Sequence, residues 1–349
     1  MQAIAMGGIG GTEVLTKGEV PYPDLGPQEV LVKVGTVGVN HLDLATMRGE
    51  GLARNVRTGH IPGIDPAGTL VEVGVGVSDH RVGERVVVRP VVSCGCCRWC
   101  VDGKDDSCEE MVFVGIHRQG GFAEFVAVPE SNVHAIPGNV EFAAASAFSH
   151  SFPVALQMLR EWAQVCEDDT VLVTGAAGAV GTAAVQIAKY FGARVIAVTG
   201  SSDRADWCLT LDADLAIDYG TMPQFAEQIL EFSPTGVDVC IETTGSADLW
   251  KQLSAVAAKR SRVVGCGGHV SGQVPLDLFW LFRNRVTVMG SAASTNAAFA
   301  DALAMFAEEE MVAPVHRIVP FTEFQDAFDL LGERDRIGKV VLEVSRPAT

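Results

Sequence analysis

Residues Val171-Leu-Val-Thr-Gly175-Ala-Ala-Gly178-Ala-Val-Gly181 decide the fold of this 349-residue chain. A short β-branched run enters a glycine-rich turn, an apolar-periodic helix carries the chain to Phe191, and a second β-branched run follows at Arg194–Val198. The unit is strand–turn–helix–strand within about 30 residues, the span of a βαβ dinucleotide-binding unit. Gly178 has no Cβ, so a pyrophosphate can approach the backbone, and Gly181 lets the helix pack closely on the strand. Ala179 and Val180 open the helix, whose positive end then faces the phosphates. The fingerprint G-x-G-x-x-G has Ala176 in place of its first glycine, with Gly175 just ahead. An ordinary turn in an α/β core is the competing explanation. Further strands at Leu215–Ile217, Val237–Ile241 and Arg262–Val264, separated by helical stretches, favour a doubly wound parallel sheet with a dinucleotide site.

The tip of the second strand bears on the cofactor. A site for NAD usually places an acidic residue there to hold the ribose 2′-hydroxyl. This chain has Thr199-Gly200-Ser201-Ser202-Asp203-Arg204 instead. Ser201, Ser202 and Arg204 suit a 2′-phosphate, which a carboxylate at the tip would repel, so NADPH is expected. The alternative is that Ser202 caps the next helix and Arg204 is solvated.

The chain is long enough for two domains, and 48% hydrophobic with 20% charged residues is a globular composition. A net charge of −17 disfavours nucleic acid and anionic membranes, both polyanions, as partners. The start, Met1-Gln-Ala-Ile-Ala-Met-Gly-Gly, lacks the charged flank and long apolar core of a signal peptide. The longest apolar stretch, Phe142–Leu159, is broken by His150 and Pro153 and is too interrupted to span a bilayer. A cytoplasmic enzyme acting on a small molecule, without membrane or nucleic-acid partners, is expected.

The first third is different. Ala3–Met6, Glu29–Val37, Gly68–Val75 and Arg85–Val88 are β-rich runs between Pro and Gly turns, the pattern of a separate antiparallel, barrel-like domain. Then come Cys94, Cys97, Cys100 and Cys108 in the spacing C-x2-C-x2-C-x7-C. Four thiolates in one small lobe meet the needs of a closed, tetrahedral, structural Zn2+ site. Disulfides do not suit a chain without a secretory signal. Cys96 is spare and expected to point away, while Cys166, Cys208, Cys240 and Cys266 sit in apolar surroundings as small core residues.

Together the turn and the cysteine lobe resemble the medium-chain dehydrogenase/reductase superfamily, almost end to end. The lobe is similar to the structural zinc lobe of its alcohol dehydrogenase branch. Further similar stretches are Gly38-Val-Asn40-His-Leu-Asp43, Pro62-Gly-Ile-Asp65-Pro-Ala-Gly68, Gly120-Gly-Phe-Ala-Glu-Phe125 and Gly338-Lys-Val-Val-Leu342. The resemblance implies an α/β chain with two domains. One is a GroES-like β-barrel catalytic domain over residues 1–150 and 292–349, carrying the zinc lobe 94–108. The other is a Rossmann domain over residues 151–291. It also implies a homodimer or homotetramer, joined through a sheet edge near Val286–Gly290. His41, Cys266 and Lys339 join the expected cofactor contacts.

Departures from the zinc alcohol dehydrogenases shape the expected chemistry. Those enzymes carry a cysteine where this chain has Asn40 and Gly-His-Glu where it has Gly63-Ile64-Asp65. Ile64 cannot bind a metal, and neutral Asn40 is a poor zinc ligand. Their third ligand falls near His150, and Leu42 replaces the relay hydroxyl. Two usable ligands, Asp65 and His150, do not make a catalytic zinc site. Asn40 through Asp43 with Arg48 and Gly49, and Pro62 through Gly68, are similar instead to zinc-independent quinone oxidoreductases and enoyl reductases. The expected reaction is hydride transfer from NADPH to an activated double bond, in an α,β-unsaturated carbonyl, a quinone or an iminium. Asn40 and His150 are the candidates to hold the developing oxyanion or supply a proton. Asp43 and Arg48 would hold the site together, and Asp65 is a further catalytic-site candidate, with ordering the turn between Gly63 and Pro66 as its alternative. Two rivals stand beside this: an alcohol dehydrogenase with a catalytic zinc on Asp65, His150 and a further ligand such as His60, and a non-catalytic NADPH-binding protein. Phe279, Trp280 and Phe282 would line the substrate pocket or a subunit contact, or simply pack in the core.

Overall fold

The computed structural model describes residues 1–54, 56–77, 82–268, 272–309, 311–333 and 335–345. Chain contacts separate two units. One is Met1–His150 with Ser294–Glu333 and Lys339–Thr349; the other is Ser151–Ala293 with Arg334–Gly338. The sequence-based division carried 292–349 as one block, whereas the short segment Arg334–Gly338 groups with the second unit. A backbone bond explains why: Gly338 N–H donates to Ala177 O at 3.0 Å, inside the glycine-rich turn.

The first unit opens with strands β1 (Gln2–Met6) and β2 (Leu15–Glu19), paired antiparallel. Strand β3 (Glu29–Val39) is buried along most of its length, which requires sheet neighbours on both sides and apolar cover on both faces. It leads through helix α1 (His41–Met47) to β4 (Asp65–Val73), its antiparallel partner. Strands β5 (Arg85–Val88), β6 (Val91–Val92), β7 (Val112–Phe113), β8 (Phe125–Pro129) and β9 (Val133–Ala135) follow, with the short helix α2 (Arg98–Val101) in the cysteine lobe. Helix α3 (Phe142–Phe148) ends this stretch. The apolar stretch Phe142–Leu159 is thus not one helix. Helix α4 (Ser151–Gln157) starts anew in the second unit, and Ser149 Oγ donates to Val88 O at 2.8 Å.

In the second unit, strands and helices alternate strictly. They run β10 (Thr170–Thr174), α5 (Ala179–Tyr190), β11 (Arg194–Thr199), α6 (Ser202–Leu209), β12 (Leu215–Asp218), α7 (Ala226–Phe232), β13 (Val237–Glu242), α8 (Ala247–Val256), β14 (Ala257–Gly265), α9 (Leu278–Asn284) and β15 (Thr287–Gly290). The sheet order is β12-β11-β10-β13-β14-β15, every pair parallel. Counted from β10, that is the doubly wound order whose direction reverses between the first and fourth strands. Ligands bind such sheets outside the carboxyl ends at that reversal. Val171, Leu172, Val173, Val195, Ile196 and Val198 are buried on both faces of the sheet, as a parallel sheet covered by helices requires.

The chain then returns to the first unit through α10 (Asn296–Glu308), β16 (Val315–Pro320), α11 (Phe324–Leu331) and β17 (Lys339–Glu343). Strand β17 inserts between β16 and β3, parallel to the former and antiparallel to the latter. This GroES-like sheet is therefore antiparallel except at one pair. Phe122 and Phe328 meet edge to face at 5.9 Å in its core. Among the described residues, no helix is long and apolar enough to cross a membrane.

Candidate functional site

The glycine-rich turn is built as its residue types demand. Gly175 has φ +60°, the left-handed region, and a Cβ there would lie 2.6 Å from Thr243 Oγ1. A Cβ on Gly181 would lie 2.2 Å from Gly175 O, so only glycine lets α5 pack on the turn. Ala176 is buried and has no positive φ, so the first glycine of the fingerprint is dispensable: Gly175 makes the turn one residue earlier. Gly178 caps α5, and the first intrahelical bond runs from Thr182 N–H to Gly178 O at 2.8 Å. The amides of Ala179, Val180 and Gly181 therefore precede the ladder and lack i−4 partners. Amides so placed, at the carboxyl end of β10, are what a phosphate group requires.

At the tip of β11, Gly200 lies under Tyr219 and Arg204. A Cβ on Gly200 would meet Tyr219 Oη at 3.1 Å and Arg204 Nη1 at 3.7 Å. Ser201 is the residue that caps α6, not Ser202, and its hydroxyl makes no capping bond; the oxygen is buried without a partner. Asp203 is exposed in the first turn of α6. Cys266 N–H bonds Glu242 O at 2.9 Å, and burial raises its thiol to about 12, so it stays protonated.

In the first unit, four expected residues converge in a closed knot. Lys339 Nζ donates to Asp65 Oδ2 with both side chains almost fully buried. Asn40 Nδ2 donates to the same oxygen at 2.9 Å and to Gly38 O at 3.3 Å. Both partners can only accept, so the amide nitrogen must face them, and Oδ1 completes a capping box with Asp43 at the start of α1. Both amide hydrogens of Asn40 are thus committed, leaving none for a substrate oxygen. Asp43 accepts from Asn40 N at 2.8 Å and from Gly63 N at 3.2 Å, pinning the two segments together. Burial pushes its carboxyl up to about 7 against those two amides, with the Asp65 charge adding to the rise. Asp65 Oδ1 is buried with no hydrogen-bond partner. Lys339, expected on the cofactor, is spent on Asp65.

His150 follows anchored Ser149 at the end of the first unit's opening stretch and is half-buried; His41 begins α1 and is half-buried as well. His60 is buried, with Nε2 bonded to Gly115 O at 3.0 Å, and burial holds it below its ordinary pKa and therefore neutral. It lines a cavity of about 530 Å³ with Leu52, Val56, Ile116, His117 and Gln119. Phe279 and Phe282 are 60% and 67% exposed, so core packing does not account for them.

The cysteine quartet is assembled. The sulfurs of Cys94, Cys97, Cys100 and Cys108 all lie within 4.8 Å of one another, and among the described residues no other group of His, Cys, Asp or Glu is that tight. The Cys94–Cys100 and Cys97–Cys100 separations are 3.9 and 3.6 Å. A tetrahedral zinc with bonds of ~2.3 Å needs sulfurs about 3.8 Å apart, so the quartet fits the ion. Cys94 Sγ accepts from Cys97 N at 3.3 Å, and backbone amides hold its thiol well below the ordinary value. Cys96, expected to point away, is exposed but brings its sulfur to 3.7 Å from Cys94 Sγ. Cys208 and Cys240 are buried as expected; Cys166 is exposed, contrary to a core position.

Both units have relatives among known proteins. Residues 26–138 match the family described as alcohol dehydrogenase GroES-like domain, and residues 179–308 match zinc-binding dehydrogenase. An alcohol dehydrogenase of Schizosaccharomyces pombe is 26% identical over 97% of this chain and 96% of its own length. An L-threonine 3-dehydrogenase of Streptomyces avermitilis is 31% identical over 78% and 79%. The crystal structure of an NAD-dependent alcohol dehydrogenase superposes with a TM-score of 0.93 at 33% identity, covering 99% of this chain and all of that one.

Proposed function

The chain belongs to the medium-chain dehydrogenase/reductase family, zinc-type alcohol dehydrogenase-like, and is an oxidoreductase with a nicotinamide cofactor; within that family we propose that it is an NADPH-dependent reductase of activated double bonds with no catalytic zinc. Its substrate is a small molecule whose acceptor carbon is made electron-poor by conjugation, as in an α,β-unsaturated carbonyl, a quinone or an iminium. Zinc in this enzyme is structural, held by Cys94, Cys97, Cys100 and Cys108.

The observation that carries the proposal is the Asn40–Asp65–Lys339 knot. Where the resembling zinc enzymes offer a thiolate and an imidazole, this chain offers an amide with its donors spent and buried Ile64. Asp65 already has a cation, the Lys339 ammonium. A metal there would have to displace a buried lysine or sit beside its charge, at heavy electrostatic cost either way. The residues present do not fit a catalytic zinc. Without that Lewis acid an unactivated alcohol is a poor substrate, whereas a conjugated acceptor carries the incoming charge itself.

Bound NADPH supplies the hydride. The chain's own residues do the rest: the Ala179–Gly181 amides hold the pyrophosphate, and Ser201 with Arg204 favours the 2′-phosphate. Asp43 and Asn40 fix the backbone at 38–43 and 63–65. His150 is the group of this set whose proton would neutralise the product enolate. A homodimer or homotetramer formed through β15, beside exposed Phe279 and Phe282, accompanies this proposal.

One observation favours the zinc alcohol dehydrogenase alternative, the partnerless Asp65 Oδ1. Metal analysis of the purified holoprotein, with an NADPH-oxidation panel of enones, quinones, iminium compounds and simple ketones, separates the two. One zinc per chain and turnover of the conjugated acceptors are expected. Two zincs with alcohol oxidation would overturn the proposal.

A further inference from the structure

Arg336 has no role in anything above. It lies in the short segment that the second unit takes from the returning chain. One hydrogen bond ties that segment to the glycine-rich turn, and a second ties the turn to the end of β11. Ala176 N–H donates to Val198 O at 3.2 Å, next to the end of the strand. Gly338 N–H donates to Ala177 O at 3.0 Å, and Arg336 Nη1 donates to Gly338 O. The glycine-rich turn, the strand tip and Arg336 are thus laced together.

At that spot a second guanidinium is already present. Burial and the charge of Arg204 together push Arg336 down to about 10. Two like charges drawn together out of water are unfavourable unless an anion joins them. Two more atoms point the same way. Arg336 Nε and Ser201 Oγ are both buried without a hydrogen-bond partner, and Ser201 leaves the helix cap it could have made. Tyr219 Oη and Arg204 Nη1 converge over Gly200, the one residue that leaves them room. Buried donors without partners beside paired positive charge are what a phosphate monoester satisfies, since it brings a charge near −2 and three acceptor oxygens.

The geometry points to a two-arginine clamp: Arg336, from the returning segment, joins Arg204 and Ser201 in binding the 2′-phosphate of the adenosine ribose. This rests on the NADPH proposal and adds a specificity-determining residue to it. A basic residue at the strand tip alone would face the phosphate from one side. Arg336 closes the other, so the preference for a phosphorylated ribose depends on a segment far from the glycine-rich turn in sequence.

The test is a fluorescence or calorimetric titration of NADPH, NADH and 2′,5′-ADP against the purified protein and its Arg336→Gln, Arg336→Lys and Arg204→Gln variants. Arg336→Gln is expected to weaken NADPH and 2′,5′-ADP about tenfold to a hundredfold while NADH affinity stays within about twofold, the loss of a charge-assisted bond. Arg336→Lys should recover part of the loss. Retained NADH binding shows that the variant is folded. A wild-type protein that binds NADH as tightly as NADPH would overturn the cofactor proposal and the clamp with it. A wild-type preference for NADPH that Arg336→Gln leaves intact would overturn the clamp alone. Equal losses for both cofactors would give Arg336 a purely structural role and overturn the clamp too.

Discussion

Lys339 and Asp65, 274 residues apart in sequence, meet as an ion pair whose side chains are 3% and 0% exposed. A pair so buried gains its Coulomb energy at a desolvation cost of similar size, so its main effect is conditional. Each partner tolerates burial only while the other is there. Asn40 leans on the same carboxylate oxygen, so the pair also sets which way the Asn40 amide faces.

Lys339→Met is therefore expected to destabilise the protein by about 3–5 kcal/mol, because Asp65 is left charged and unmatched. The double variant Lys339→Met/Asp65→Asn should be markedly more stable than Lys339→Met alone. Thermal and urea unfolding measure both. A single variant that unfolds like the parent would show that the pair is not formed.

Asp43 gives a pH dependence with a definite sign. Burial raises its carboxyl from 3.8 to about 7 in the folded chain. The native state therefore holds a proton that the unfolded chain releases, and this group's contribution to stability is full below the unfolded value. It is lost as pH rises between about 4 and 7 and is flat above that. An infrared carboxylic-acid band that persists at pH 6, fades by pH 8 and is absent from Asp43→Asn would confirm it. A band already gone at pH 5 would refute it.

Gly178 and Gly181, three residues apart, should fail differently. In Gly181→Ala the new methyl meets Gly175 O at 2.2 Å, so stability should fall by about 1–3 kcal/mol through overpacking. In Gly178→Ala the same oxygen is 3.2 Å away, so the fold should survive while the methyl blocks close approach of the pyrophosphate. Unfolding curves alongside cofactor titrations distinguish the two. Equal stability losses would mean that Gly178 is also a packing residue.

Removing one zinc ligand should empty the lobe without disturbing the dinucleotide cradle. Cys100→Ser is expected to lower zinc from one per chain to none, to expose the lobe 93–108 to limited proteolysis and to leave NADPH affinity unchanged. Metal retained at full occupancy would show that three sulfurs suffice or that the ion sits elsewhere.

Local patterns were the legible part of this chain. The turn at Gly175–Gly181 and the quartet Cys94, Cys97, Cys100 and Cys108 each compress their chemistry into a short span, where spacing alone carries it. The strict alternation of strands and helices after Thr170 likewise announces a parallel sheet. What stayed hidden depends on remote partners. The direction of the Asn40 amide is decided by Gly38 O and by Asp65 on another strand, and the fate of Lys339 by the same Asp65. The break after Phe148 follows from a change of unit, which hydrophobic periodicity does not record. Cys166 looked like a core thiol because its surroundings in sequence are apolar, yet it is exposed in the loop after the helix that ends at Trp162. Arg336 carried one faint signal, a cation just ahead of the closing Gly338-Lys339.

Strand β17 lies inside its sheet, between β16 and β3, rather than at a margin. As the nascent chain emerges from a ribosome, β3 is made early and its neighbour β17 only after all of Ser151–Ala293. Until then β8 covers that flank of β3 only over Glu29–Lys33, and Thr36–Val39 lacks a companion, an open edge of the kind that recruits strands from other chains. Synthesis thus carries a long vulnerable interval, in which the nucleotide-binding half can mature while the other half waits. A circular permutant beginning at Ser294 would shorten that interval by making β17 before β3.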